Sequence, residues 1–461
     1  MAGRHFFLVG IGGSGMMPLA MILAGRGAIV AGSDRGLDQG RVPAKFDALR
    51  DLGIALHPQD GSGVTAPDQI VVASAAVEET VADMVAAARM GCTRMTRAAL
   101  NAALFNAGGL PIGVAGTSGK STVTGMIAAI LAREGRDPTV MNGAVMKDFA
   151  GPDRPFASAL VGRGDAYVSE VDESDGSIAL YHPRIAVLNN VSLDHKSLDE
   201  LNRLFGDFIG HAAHAVVNAD NPDAAALALA LPPGRVTRFS IQGDADLVAI
   251  DIEEAAFAVA FTVAGHRVAL QVPGRHNVAN ALAAIGACVA AGVPLERACA
   301  GVATFTGLRR RFDRVGEAGG VAVIDDFGHN PDKIAATLDT LHAFPGRILA
   351  LFQPHGYGPL KVMRADLVAM LGAKLHAGDL LVLPDPVYQG GTVAREVTSA
   401  DIVRDLQVAG ADALHIPARE AAAAHLVAAA RPGDRIVVMG ARDDTLSLLA
   451  ADMLESLAAR G

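Results

Sequence analysis

With 461 residues, 51% of them hydrophobic but only 4% aromatic, no Trp and 51 Gly, the chain is too long for one ordinary core and must pack largely through small side chains. Thirty-nine Lys plus Arg against 49 Asp plus Glu give a net charge of −10, which excludes a general nucleic-acid or membrane-surface binder held by basic charge. Three widely spaced cysteines, Cys92, Cys288 and Cys299, exclude a disulfide framework and a Cys-based zinc site and fit a reducing cytoplasm.

The chain opens without a signal-peptide pattern, and a short apolar run, Phe6–Val9, meets Gly10-Ile11-Gly12-Gly13-Ser14-Gly15 and then a helical stretch. A second run at Ala28–Ala31 ends at Gly32-Ser33-Asp34, the β-turn-α-β pattern that opens a doubly wound sheet. Runs at Gln69–Ala73 and Thr93–Met95 complete a first domain ending near Asn106, and Ala107-Gly108-Gly109 reads as a linker. A new cycle starts with the strand Leu110–Ala115, a glycine loop and a helix over Val123–Arg133, followed by strands at Ala166–Val171, Ile185–Leu188 and Ala215–Asn218. Short alternating runs at Leu247–Ile252, Phe257–Val263 and Val268–Val272 predict an antiparallel patch, and a helix over Asn277–Ala291 follows. A third α/β unit after Arg311 holds strands near Val321–Ile324, Ile348–Phe352, Leu380–Leu383 and Arg435–Met439. The uncharged stretches Ala98–Gly119 and Val278–Leu295 are interrupted by Asn, Gly and Pro, so neither is expected to span a membrane.

Gly10, Gly12 and Gly15, with Asp34 about twenty residues on, satisfy the dinucleotide fingerprint in spacing and context. The physics asks only that glycines let the backbone approach a diphosphate at a helix N-terminus, so any nucleotide diphosphate conjugate suits it, NAD among them. Gly116-Thr117-Ser118-Gly119-Lys120-Ser121 is a second phosphate loop between strand and helix, although Val114 stands where the strict P-loop has its first glycine. There backbone N–H groups cradle phosphates, Lys120 reaches the β/γ oxygens, and the Ser121 hydroxyl ligates Mg²⁺. The acidic run Glu170–Asp175 ends a strand, with Asp194-His195 after the next; carboxylates there suit Mg²⁺ ions in phosphoryl transfer. Spacing alone assigns no chemistry to Gly274–Asn277, Arg309–Arg311 or Asp325–Asn330.

Taken in order, HFFLVGIGGSGM (His5–Met16), GSD (Gly32–Asp34), GTSGKST (Gly116–Thr122), SEVDESDGS (Ser169–Ser177), LDH (Leu193–His195), GRHNVANALAA (Gly274–Ala284), GLRRRF (Gly307–Phe312), DDFGHNP (Asp325–Pro331) and FQPH (Phe352–His355) resemble the Mur ligase family. These are ATP-dependent amide-forming enzymes of peptidoglycan synthesis and recycling, and the likeness is closest to the branch of the L-alanine-adding and murein-tripeptide-adding enzymes. The resemblance implies an α/β fold of three domains: residues 1–106, Rossmann-like, for a UDP-sugar; 107–312, a central P-loop ATPase domain with a small antiparallel patch; and 313–461, Rossmann-like, bringing the amine. It implies that Gly12, Gly13, Ser14 and Gly15 hold the UDP pyrophosphate, with Asp34 near the uridine. Gly116, Thr117, Ser118, Gly119, Lys120, Ser121 and Thr122 would bind ATP, with Mg²⁺ on Ser121, Glu170 and His195. His276 and Asn277 would meet adenine, Arg311 the phosphates, and Asp326 with His329 the nucleotide. Lys120, Glu170, His195 and Arg311 are thus the expected catalytic set, in a cytoplasmic monomer or homodimer without nucleic-acid or membrane partners.

The implied reaction phosphorylates a UDP-N-acetylmuramoyl-type carboxylate and passes the acyl group to the amine of an amino acid or peptide. The acceptor is where this chain departs from the pattern. Gly356 and Pro359 stand where the L-alanine-adding enzymes carry Arg, Asn330 replaces a second His, and GAR (Gly440–Arg442) replaces GAG. His355, Lys361 and Arg442 are the candidate acceptor contacts. Some Mur ligases carry a carbamylated lysine at the metal; with no lysine between Lys196 and Lys333, only Lys196 is a candidate here. A paralogue with another carboxylate or acceptor, and a non-catalytic UDP-muropeptide or ATP sensor, stay open as alternatives.

Overall fold

Runs of Val, Ile, Leu and Ala that lack polar alternation become strands buried on both faces, and in the computed structural model they build three sheets. The structure describes residues 1–75, 77–192, 196–387, 395–441 and 443–460. In the first sheet β1 (His5–Val9), β2 (Ile29–Ser33), β3 (Ala55–His57), β4 (Ile70–Ala73) and β5 (Thr93–Thr96) are all parallel, in the order 3-2-1-4-5. Strand order reverses between β1 and β4, so the crevice at their carboxyl ends opens beside the glycine loop that follows β1.

The second sheet takes β6 (Leu110–Ala115), β7 (Thr139–Met141), β8 (Ala159–Leu160), β9 (Ala166–Glu170), β10 (Ile185–Leu188), β11 (His214–Asn218), β12 (Val236–Ser240), β13 (Leu247–Ala255), β14 (Ala258–Val263) and β15 (His266–Leu270). Their order is 15-14-13-12-11-10-6-9-7-8. The pairings from β13 across to β7 are parallel, whereas β14 and β15 form the expected antiparallel hairpin. Its two-residue turn is Ala264-Gly265, both at positive φ, as a strand pair with right-handed twist requires. The parallel core of this sheet flanks β6 with β9 and β10, so whatever follows β6 lies between their carboxyl ends.

These two sheets share a core. The helix Met16–Gly25 is apolar on every side and buried along Met16–Leu23; at its end, a Cβ on Gly25 would lie 2.8 Å from Val161. Phe105 meets Tyr167 and Tyr181 edge-on, with ring centres 5.8 and 5.3 Å apart. Above them Asn101 donates to Ser169 Oγ and Tyr181 Oη and accepts from Tyr167 Oη, at 3.0, 2.9 and 2.9 Å. Three hydrogen bonds offset the cost of burying the Asn101 amide and favour one packing of these rings. One compact unit accordingly comprises Met1–Glu254 with Ala258–Gly307, and a second comprises Ala255–Phe257 with Leu308–Gly461.

In the second unit β16 (Asp313–Ala318), β17 (Val321–Asp326), β18 (Ile348–Phe352), β19 (Leu380–Leu383), β20 (Ala413–His415) and β21 (Arg435–Met439) run in the order 16-17-21-18-19-20, parallel except for β16. The carboxyl ends of β17, β21 and β18 therefore lie side by side. Six strands were not expected: β3, β7, β8, β12, β16 and β20. They are short or only half-buried, and four of them are sheet edges, where apolar runs are weakest. No helix among the described residues is long and apolar enough to cross a membrane.

Phe105→Ala should lower unfolding stability by about 3–5 kcal/mol, because it empties the aromatic contact common to both sheets. Urea unfolding followed by far-ultraviolet circular dichroism checks it.

Candidate functional site

The loop after β6 is shaped by what surrounds it. Gly116 and Gly119 have φ of +131° and +84°, conformations that L side chains resist, and a Cβ on Gly119 would stand 2.3 Å from Asn189 Nδ2 and 2.6 Å from Asn280 Oδ1. The following helix, Lys120–Arg133, carries Ser121 and Thr122 in its first turn. Asn190 Oδ1 accepts from Ser118 N at 2.8 Å, and Asn189 Nδ2 donates to Ser118 O at 3.0 Å and to Asn280 Oδ1 at 2.9 Å. Asn280 Nδ2 continues to Asn277 Oδ1 at 3.1 Å, and Asn277 Nδ2 ends on Pro273 O at 2.7 Å. Asn277, expected at adenine, thus has both ends of its amide engaged in a relay that braces the phosphate loop. His276 is exposed in the first turn of the helix Arg275–Ala290. The loop's Thr117 Oγ1 donates to Ser192 O at 3.2 Å.

The acidic run beside this loop divides its work. Glu170 closes β9, and its Oε2 accepts from Ser121 Oγ at 2.7 Å, while its Oε1 lies over Gly143, where a Cβ would come within 2.2 Å. Glu173, only 7% exposed at its side chain, accepts from Lys120 Nζ at 2.9 Å, and the same ammonium donates to Gly116 O at 2.7 Å. Burial would raise the Asp172 carboxyl, but Lys120, the Ser174 backbone and side-chain bonds and Arg97 together hold it below the usual range. Lys120, Ser121 and Glu170 are therefore brought together as expected. Glu173, Asn189, Asn190 and Asn280 were not foreseen as separate contributors.

In the first glycine loop Gly13 and Ser14 are exposed at the tip, and Gly15 is the N-cap of the helix Met16–Gly25. Asp34, expected at the uridine, accepts from Gly12 N at 2.9 Å on one oxygen and from Gly36 N at 2.7 Å on the other. Lys45 Nζ donates to Gly12 O at 3.0 Å. The carboxylate ties the loop to the start of the next helix.

Arg311, Asp326, His329, His355 and Lys361 belong to the second unit, where the first four cluster at the carboxyl edge of its sheet. Arg310 and Phe312 take positive φ of 61° and 46°, and the turn is clamped by Phe327 N on Arg310 O at 2.8 Å and Phe312 N on Asp326 Oδ2 at 2.7 Å. Arg311 lies over the Phe327 ring, its guanidinium carbon 4.6 Å from the centre. Asp326 Oδ1 accepts from Gly328 N at 2.7 Å and Thr337 Oγ1 at 3.0 Å. Burial and the Lys333 charge push His329 down to about 3, so it is neutral, with Nδ1 donating to Phe327 O at 2.9 Å. His355 meets its ring edge-on at 5.2 Å. Lys361 is ion-paired with Glu396, both half-exposed, and Gly356 caps the helix Tyr357–Lys374 at φ +142°. His195 and Arg442 lie outside the described residues. Lys196 pairs with Glu200 at 2.5 Å. A further cluster, His342, His376 and Asp379, is spent internally: Asp379 accepts from Ile348 N, His376 N and His342 Nε2 at 2.8, 2.8 and 2.7 Å.

A phosphate loop whose lysine and serine each face a glutamate, on a three-sheet α/β frame with a second glycine loop, defines a nucleotide-dependent phosphoryl-chemistry protein. Models of the Mur ligase family, catalytic domain, the Mur ligase middle domain and the Mur ligase, glutamate ligase domain match residues 5–108, 114–288 and 310–442. The UDP-N-acetylmuramate–L-alanine ligase of Streptomyces coelicolor is 37% identical over 462 residues, covering 96% of this chain and 95% of its own. The enzyme of that name from a Geobacter species is 34% identical over 455 residues, 95% of this chain and 94% of its own. The chain belongs to the Mur ligase family. In fold it is similar to the UDP-N-acetylmuramate-alanine ligase of Thermotoga maritima, with a TM-score of 0.81 at 23% identity over 99% of this chain and 100% of that one. A murein peptide ligase of Psychrobacter arcticus gives 0.73 at 22% identity, over 99% of each chain.

Beneath the second unit's site, Asp325 is fully buried, accepts from Ser447 Oγ at 2.6 Å and faces Arg310 Nε at 3.6 Å. Burial pushes its carboxyl up to about 6, against the pull of Arg310 and Ser447. A raised folded value means that its contribution to stability is full below the unfolded value near 4 and is lost as pH climbs through about 6. Asp325→Asn should keep stability that the natural chain loses between those limits, read as thermal midpoints across pH.

Proposed function

We propose that the protein is an ATP- and Mg²⁺-dependent ligase that joins a UDP-N-acetylmuramoyl-type carboxylate to an amino acid or peptide amine. The observation that carries it is the pairing of Ser121 with Glu170 and Lys120 with Glu173 at one helix N-terminus, in a chain that also holds a diphosphate-type glycine loop. The names of relatives matched over nearly their whole length support the substrate class. The donor set fits the nucleotide: a loop whose backbone no Cβ may crowd at Gly119, a lysine, and a hydroxyl beside a carboxylate for a hard cation. Residues 1–106, 107–312 and 313–461 serve as the UDP-sugar, ATP and amine domains.

Bound Mg²⁺-ATP supplies the phosphoryl group that turns the carboxylate, a poor electrophile, into an acyl phosphate which the amine can attack. Lys120, beside Glu173, would also reach phosphate oxygens, and its charge would offset the negative charge that gathers in transfer. Ser121 and Glu170, with His195, would hold the cation. Asn189, Asn190 and Asn280 brace the loop through their hydrogen bonds to Ser118 and to one another. Within the second unit, Arg311 over the Phe327 ring and neutral His329 are the residues proposed to meet the nucleotide. L-alanine is the acceptor that the relatives' names suggest. Gly356, Pro359 and the Lys361–Glu396 pair favour a different acceptor, since none of them supplies a free guanidinium clamp.

Lys120→Ala should cut acceptor-dependent ADP release by roughly 10²–10³-fold or more; an unchanged rate overturns the reading. Phosphate release across a panel of UDP-muropeptides and amines, L-alanine included, should single out one pair, and turnover with none of them would favour a sensor.

A further inference from the structure

Glu170 is the last residue of β9 and is held at two ends. At its tip, Oε2 accepts from Ser121 Oγ at 2.7 Å, and Asn142 Nδ2 in turn donates to Ser121 O at 2.9 Å. At its root, its backbone carbonyl accepts from the hydroxyl of the preceding residue, Ser169, at 2.9 Å. A cation taken between Ser121 and Glu170 displaces the bond at the tip, because the same oxygens must turn lone pairs to the metal. The bond at the root is the one that survives.

That root is fixed by groups from another sheet. Ser169 Oγ spends its one proton on Glu170 and accepts from Asn101 Nδ2 at 3.0 Å, in the helix Arg97–Asn106 that follows the last strand of the first sheet. Asn101 is itself locked, since its second N–H goes to Tyr181 Oη and its Oδ1 accepts from Tyr167 Oη, both at 2.9 Å. Ser169 is fully buried, Asn101 and Tyr167 are 1% exposed and Tyr181 4%. A buried network with every member satisfied keeps one arrangement, because any other strands a donor or acceptor away from water. Packing alone asks for no polar group at Asn101 or Ser169, and apolar side chains of similar shape would close the same contact.

We infer that Asn101, acting through Ser169, is the positioning residue that sets Glu170 for its cation, an inference that rests on reading Glu170 as a cation ligand. The metal site of the central sheet is then completed by a side chain belonging to the first. Asn101 touches neither nucleotide nor metal; it holds the strand end from which the carboxylate springs.

The test compares the full-length protein with three variants. Ser169→Ala cuts the link to Glu170 but spares both tyrosine bonds of Asn101, Asn101→Leu removes the amide, and Tyr181→Phe removes a bond of that amide on the side away from Glu170. A non-hydrolysable ATP analogue is titrated by calorimetry in Mg²⁺ and again in EDTA, and thermal midpoints record stability. Ser169→Ala and Asn101→Leu should weaken binding in Mg²⁺ on the order of tenfold, as loss of an outer-shell partner does, and leave binding in EDTA within about twofold. Tyr181→Phe should lose stability yet keep the natural chain's gain from Mg²⁺. If Asn101→Leu fails to fold, Ser169→Ala decides alone. An equal loss in Mg²⁺ and EDTA, which a merely structural network would cause, overturns the inference, as does an undiminished gain from Mg²⁺ in Ser169→Ala. A natural chain whose affinity ignores Mg²⁺ overturns instead the reading of Glu170 as a cation ligand.

Discussion

A carboxylate sealed from water must be answered by a partner, and Glu173 is such a carboxylate, with half-buried Glu170 close to it at the carboxyl edge of the central sheet. Glu170 is answered by a hydroxyl and Glu173 by an ammonium, both from the first turn of one helix. Removing the Lys120 ammonium would leave the buried Glu173 charge uncompensated, at a cost of roughly 3–5 kcal/mol. The loop cannot drift without breaking both contacts, and the asparagine relay from Asn190 and Asn189 through Asn280 to Asn277 fixes it from behind. The loop is thus held close to one shape by bonds within the protein.

The aromatic-poor composition has a counterpart in how the helices approach the sheets. Small residues let backbone come close, as where Gly286 lies against Val216 of β11, and between two helices where Gly301 lies against Ile130. The few large rings are placed where two layers meet, Phe105 with Tyr167 and Tyr181 being the clearest case. Dense packing of small side chains leaves little slack, so shape is set by where glycine and alanine fall.

Both glycine loops were legible because an apolar strand, glycines and a helix succeed one another without interruption at Val9–Met16 and Ala115–Lys120. The acidic run at Glu170–Asp175 was legible as a cluster, but its division between Ser121 and Lys120 depends on β6 and β9 being neighbours, which spacing does not encode. Asn101 reads as an ordinary polar residue in a helix; only the fold brings it to Ser169. Asn189, Asn190 and Asn280 carry no pattern, since asparagine is common in every turn. Asp34 has the fingerprint position, yet in the fold its oxygens are taken by Gly12 and Gly36, a local competition for backbone donors that no spacing rule resolves.

The core common to the first two sheets sets the order in which this chain can fold during synthesis. Residues of the N-terminal sheet and its helices, from Phe6 to Phe105, are buried in one continuous cluster with Tyr167, Tyr181 and Phe208. When Asn106 leaves the ribosome, Phe105 and the outer side of the helix Met16–Gly25 still face water. The N-terminal segment therefore waits, partly uncovered, for about a hundred more residues before its apolar surface is closed, and during that wait it is a natural client for a holding chaperone.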